Sequence, residues 1–122
     1  MKKTGWKKRI KDATIEAGTY QKPFDNVIET LAEILEKRDA AEEMYKAGGS
    51  NPLIKHTNKV GATNVVQNPA LRLINDLNRD ALAYWRDLGL TPAGHKRLTE
   101  KQAQNEQSSK GIGELLEELG VK

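Results

Sequence analysis

The chain contains no cysteine, which removes thiol nucleophiles, disulfide frameworks and cysteine-based zinc sites from consideration. Aromatic residues make up only 5% of its 122 residues and apolar ones 37%. That is enough for one domain with a modest core, and it fits a thin helical body with much solvated surface. No run approaches membrane-spanning length. The basic opening MKKTGWKKRIKDATIEAG lacks the apolar segment that a signal peptide requires, so a soluble, intracellular protein with no membrane partner is expected. Histidine is scarce: His56 and His95 fall in different elements, with no carboxylate cluster at metal-ligand spacing around them. Gly111-Ile112-Gly113 is too short for a phosphate loop and follows no strand. No catalytic residue, metal or cofactor is expected, and the chain is read as a non-enzyme.

What is present is charge, unevenly spread. Residues 1–22 carry seven Lys/Arg against two Asp/Glu, residues 23–98 carry ten of each, and residues 99–122 carry three against five. A basic head, a neutral body and a weakly acidic tail suit different partners at the two ends. Residues 1–22 show little apolar periodicity and read as a basic mobile arm, with or without a short helix. Residues 23–98 read as a helical oligomerisation core, and residues 99–122 as a polar linker, or a frayed continuation of the preceding helix, followed by an amphipathic C-terminal helix.

Within the core, a first long helix is predicted from about Pro23 to Ala47. Phe24, Val27, Ile28, Leu31, Ile34 and Leu35 form its apolar face, and Glu29, Glu33, Glu36, Lys37 and Arg38 its polar face. Gly48-Gly49 ends it. In residues 50–67, Leu53-Ile54 and Val65-Val66 flank a turn-like Asn58-Lys59-Val60-Gly61, so a small β-hairpin and an ordinary connecting loop are both open. The second long helix spans 68–89, opened by Asn68 as N-cap with Pro69 at its first position. Its stripe is Leu71, Ile74, Leu77, Leu82, Trp85 and Leu88. Gly89 ends it, and Thr91-Pro92 at once starts a short helix over 91–98. The fold class is therefore all-α: two long antiparallel helices in a hairpin, plus short helices.

Six cations in the first eleven residues, Lys2, Lys3, Lys7, Lys8, Arg9 and Lys11, surround Trp6. They could neutralise phosphates without reading bases, with Trp6 stacking on an exposed base; a merely solubilising terminus is the alternative. His95-Lys96-Arg97 adds a smaller cluster, of which Lys96 and Arg97 could contact DNA or simply favour a helix end. Arg72, Arg79 and Arg86 recur every seven residues among Asp76, Asp80 and Asp87, a mixture that suits ion pairing within or between subunits. Two broad apolar helix faces with no third helix to cover them argue for self-association. The expected interface comprises Phe24, Val27, Ile28, Leu31, Leu35, Arg72, Arg79, Trp85 and Arg86. Leu115, Leu116 and Leu119 in the tail helix are expected to order against a partner.

With these residues in view, the chain resembles the small terminase subunits of tailed double-stranded DNA bacteriophages and prophages. The resemblance rests on Asn68-Pro69 opening a helix, the Trp85-containing amphipathic run, and Leu88-Gly89-Leu90-Thr91-Pro92 followed by a basic cluster ending at Leu98. Where many members have Ser or Ala and then Arg, this chain has Ala93, Gly94 and His95, leaving Lys96-Arg97 as the basic pair. The resemblance implies a non-catalytic packaging factor that assembles into a homo-oligomeric ring and binds double-stranded viral DNA. It also implies recruitment and regulation of the large terminase, which holds the ATPase and nuclease, in the cytoplasm of the bacterial host and not in the mature virion. Many relatives carry an N-terminal helix-turn-helix domain; about 22 residues before the first long helix are too few for one. A small helical regulator that binds DNA as a dimer and an adaptor that binds only protein are the rival readings.

Overall fold

In the computed structural model, which describes residues 1–104, the elements run α1 (Lys3–Ala17), α2 (Asp25–Ala47), β1 (Leu53–Thr57), β2 (Thr63–Gln67) and α3 (Pro69–Asp87). A further helix, α4, occupies residues 92–104. The helix α2 starts straight after a 3₁₀ turn, Lys22–Phe24, that holds Pro23. Asp25 lies in its first turn and Lys46 in its last, each at the end where the helix dipole favours its charge. The α3 start is built as its residues require: the Asn68 side chain accepts from the Ala70 amide at 3.0 Å, and its own amide nitrogen donates to the Asn51 carbonyl at 2.9 Å.

Three helices pack antiparallel with α2 in the middle. The α1 start lies beside Asp39, and Arg38 of α2 reaches Asn78 of α3. The α2 stripe Ile28, Leu31, Ala32 and Leu35 is buried against Ile10 from α1, Ala81 from α3 and Leu88 just beyond α3. Trp6, Tyr20, Phe24, Val27, Ile34, Tyr84, Trp85 and Leu90 pack around them. At ~1.5–3 kcal/mol per fully buried large aliphatic side chain, this cluster is the main cohesive force of the fold.

The all-α reading needs one addition and two corrections. The hairpin exists: β1 and β2 pair antiparallel from Leu53↔Gln67 to Thr57↔Thr63, closed by Asn58, whose side-chain oxygen accepts from the Val60 and Ala62 amides at 3.0 Å each. Residues 1–22 are not a mobile arm, because residues 3–17 form a full helix docked on α2, with Ile10 fully buried and Thr14 with it. In consequence Ile28, Leu31 and Leu35, expected to face other subunits, are consumed inside the chain at 2%, 0% and 0% exposure. The third helix that the sequence reading lacked is α1. Of the two readings of the polar stretch from residue 99, the helix continuation holds as far as residue 104.

The corner between α3 and α4 rests on two glycines. Gly89 takes the left-handed conformation, φ 73°. The amides of Gly89 and Leu90 donate to the carbonyls of Arg86 at 3.0 Å and Trp85 at 2.8 Å, which is the Schellman closure of a helix end. Thr91 then caps α4, its hydroxyl accepting from the Gly94 amide at 3.1 Å. Gly94 is buried directly under the end of α3, and a Cβ there would collide with the Arg86 carbonyl oxygen. The absence of a side chain at Gly94 is thus a packing requirement of this corner.

Two substitutions check this architecture by chemical denaturation. Leu31→Ala is expected to lower stability by ~2–5 kcal/mol through the cavity it leaves. Gly94→Ala should cost ~1–3 kcal/mol through overpacking of the corner. An unchanged midpoint for Gly94→Ala would show that α4 does not seat on the last turn of α3.

Candidate nucleic-acid interface

Helix α1 carries its cations at the wrong end for its own dipole, since Lys2 and Lys3 sit where an anion is favoured. The acidic face of α2 compensates. The Lys3 backbone amide donates to the Glu36 carboxylate at 2.6 Å, so a neighbouring helix caps α1 in place of a first-turn acid. The Lys3 ammonium lies 2.9 Å from both Glu29 and Glu33. These hydrogen bonds, that of Glu33 first and then that of Glu29, raise the Lys3 pKa above the usual lysine range. The Glu29 carboxyl is lowered by its hydrogen bond from Lys3 and then by the charges of Lys3 and Lys7.

Asp39 is the second anchor. Its carboxylate accepts from the Met1 amino group at 2.9 Å, the Trp6 indole at 2.8 Å and Arg38 at 3.1 Å. Burial alone would raise its pKa, but the three hydrogen bonds together with the Arg38 charge outweigh it, and the carboxyl sits below its ordinary value. The Arg9 and Arg38 guanidinium groups each lie 5.5 Å from the Trp6 ring centre. Trp6 is half-buried, and its indole N–H is engaged by Asp39 within the chain.

The expected phosphate-binding residues separate into three groups. Lys3 is committed to α2, and Arg9 stacks on Trp6. Lys7, Lys8 and Lys11 are exposed and form a row along one flank of α1, lining a groove that also holds Asp25, Asn26 and Glu29 of α2. Lys11 additionally lies 5.1 Å over the Tyr20 ring, whose hydroxyl donates to Asp25 at 2.8 Å. Lys2 is exposed at the start of α1. Lys96 and Arg97 are exposed on α4, with Lys96 4.0 Å from Glu100. The first turn of α4 meets the far end of α1, where a His95 ring nitrogen lies 3.1 Å from the Ala17 carbonyl oxygen. His95 is thus a bridge between helices. Its pair Lys96-Arg97 stands beyond the α1 C-terminus, away from Lys2 and Lys3 at the α1 start.

Of the expected interface residues, Phe24, Val27 and Trp85 are half-buried around the core. Arg72, Arg79 and Arg86 all project outward. Among the described residues, the ion pair they make is Arg79–Asp76 at 3.6 Å. Leu73 and Leu82 were absent from the expected interface, yet they are 48% and 46% exposed. Leu115, Leu116 and Leu119 lie outside the described residues. The structural roles of Glu36, Asp39 and Thr19 were also missed. Thr19 is buried and its hydroxyl donates to the Leu88 carbonyl at 2.7 Å, tying the end of α1 to the end of α3. A visible signal existed for the carboxylates: Glu29, Glu33 and Glu36 recur at helical spacing and complement the lysines of the preceding segment.

Among the described residues no helix is long and apolar enough to cross a membrane. The family model described as phage terminase, small subunit, matches residues 3–105, from the first turn of α1 past the described part of α4. No curated protein and no solved structure matches the chain.

The Asp39 anchor makes a pH-dependent prediction. Because its folded pKa is depressed, its contribution is present above the ordinary carboxyl pKa of ~4 and is lost as pH falls through the lower folded value. Asp39→Asn should therefore destabilise the chain at neutral pH by ~1–3 kcal/mol. The gap from wild type should close progressively below about pH 4. Urea unfolding across pH 2–7 reads this directly, and a gap independent of pH would remove Asp39 as a charged anchor.

Proposed function

The chain belongs to the phage terminase small-subunit family, and on that premise we propose that it is a non-catalytic DNA-packaging factor. It binds double-stranded viral DNA and assembles into a homo-oligomeric ring. It also recruits and regulates the large terminase, which supplies ATP hydrolysis and DNA cleavage in the host cytoplasm. The observation that carries this reading is the reach of the family match, which takes in every described element, the α3–α4 corner included.

The surface chemistry is consistent with that role. Lys7, Lys8 and Lys11 offer a row of exposed cations for sequence-independent phosphate contact, with Lys96 and Arg97 as a second, smaller contact. Lys3 and Trp6 position α1 and are not themselves DNA ligands. For assembly, Leu73 and Leu82 lie on opposite flanks of the buried row of α3, each about 100° from its centre. Arg72, Arg79 and Arg86 project between them. Two different flanks on one helix suit the head-to-tail contact that closes a ring. Phe24, Val27 and Trp85 pack around the buried cluster, half-exposed beside it.

Three measurements test the reading. Solution mass should show one closed assembly, and Leu82→Glu should reduce it while leaving the helical spectrum intact; a wild-type dimer would favour the regulator instead. Lys7→Gln/Lys8→Gln/Lys11→Gln should weaken duplex binding and flatten its salt dependence by up to about 3 in log–log slope. An unchanged slope would remove α1 as a DNA face. Added to the large terminase, the ring should change its ATPase or nuclease rate, and no response would overturn the packaging role.

A further inference from the structure

The cations of α1 face the carboxylates of α2, but the stretch from the last turn of α2 to the first turn of α3 has no such balance within it. Residues 44–75 contain no Asp or Glu and carry Lys46, Lys55, Lys59 and Arg72. All four are exposed, and none enters an ion pair among the described residues. The topology gathers them at one end. Lys46 is in the last turn of α2, Arg72 in the first of α3, Lys55 in β1, and Lys59 in the turn between the strands. Every residue of β1 and β2 is exposed, so the hairpin stands clear of the helices with both faces open. Asn58 locks its tip through the two amide contacts already described, and Thr57 and Thr63 pair across it at 3.2 Å.

We propose that this ribbon, Leu53–Gln67, is a second contact for duplex DNA, with Lys55 and Lys59 on the phosphates and Lys46 and Arg72 flanking. A two-stranded ribbon has the cross-section that the ~12 Å major groove admits. Alternation places Lys55 and Thr57 on one face, opposite Val65 and Thr63, and His56 on the other, opposite Asn64. Polar side chains thus point to both walls of a groove. Charge also disfavours the same ribbon pairing with its copy, since that would bring the lysines together with no carboxylate between them. The exposed apolar residues are split in the same way, Leu53 with Val65 on one face and Ile54 with Val66 on the other, and do not form a single patch for a protein partner.

The proposal rests on the DNA-packaging reading, and its test separates the two. Binding of a labelled random-sequence duplex is followed by anisotropy across a salt series. Wild type is compared with Lys55→Gln/Lys59→Gln and with a charge-matched control, Lys22→Gln/Lys37→Gln, at exposed positions outside both contacts. The ribbon variant should lose about 2 in log–log salt slope, while the control retains the wild-type slope and both keep the wild-type mass. A ribbon variant with an unchanged slope, alongside an α1 triple variant that weakens, overturns the ribbon alone. A ribbon variant of altered solution mass identifies a contact between copies and also overturns it. A wild-type chain that binds no duplex at low salt overturns both readings.

Discussion

The docking of α1 onto α2 is the interaction on which the rest of the structure depends. A helix of 15 residues is marginal alone in water, and this one has few apolar anchors. It is fixed by three things at once: Ile10 in the core, Trp6 hydrogen-bonded to Asp39, and the Glu29–Glu33–Glu36 row against Lys3. Once α1 is seated, its last turn carries the fold onward. Thr19 ties it to the Leu88 carbonyl, and the Ala17 carbonyl meets His95. The corner that opens α4 is thus held against the far end of the first helix, not only against its own neighbours in sequence.

This docking also decides where charge is free. The segment with the greatest formal excess of lysine and arginine spends part of it on α2, and exposed ion pairs of this kind matter more for orientation than for stability. What remains outward on α1 is the Lys7–Lys8–Lys11 row, sharing its groove with Asp25 and Glu29. The stretch 44–75 at the hairpin end has fewer cations and no carboxylate of its own, Glu42 and Asp76 standing at its margins. Formal charge by segment and effective potential at the surface therefore rank the two ends differently, because folding pairs one excess and leaves the other alone.

Sequence signals gave the long helices, the Asn68 and Thr91 caps and the glycine stop at Gly89, since each depends on local chemistry that neighbouring residues state outright. The hairpin was half legible: its alternation is short, and all ten paired residues stay exposed, so no buried face sharpened the pattern. Helix α1 was not legible by apolar periodicity, because its docking rests on carboxylates 26 and more residues further along the chain. The same omission misassigned Ile28, Leu31 and Leu35, which look unpartnered only while α1 is left out. For the candidate site, composition pointed to Lys7, Lys8, Lys11, Lys96 and Arg97, which folding leaves exposed. The diversion of Lys3 and Trp6 into structure required the neighbouring helix.

Because α1 completes the core, self-association cannot be driven by the α2 stripe. A subunit that meets copies of itself has to use surface left over after folding, and among the described residues the large apolar side chains in that surface include Leu73 and Leu82 on α3. Each stands at the margin of a helix face whose outer row alternates arginine and aspartate. The contact proposed there would be small and polar-rimmed, with its register set by charge. On the proposed reading, assembly built on it would respond to salt as phosphate binding does, so the two proposed activities would share one electrostatic control while using different faces of the same three-helix body.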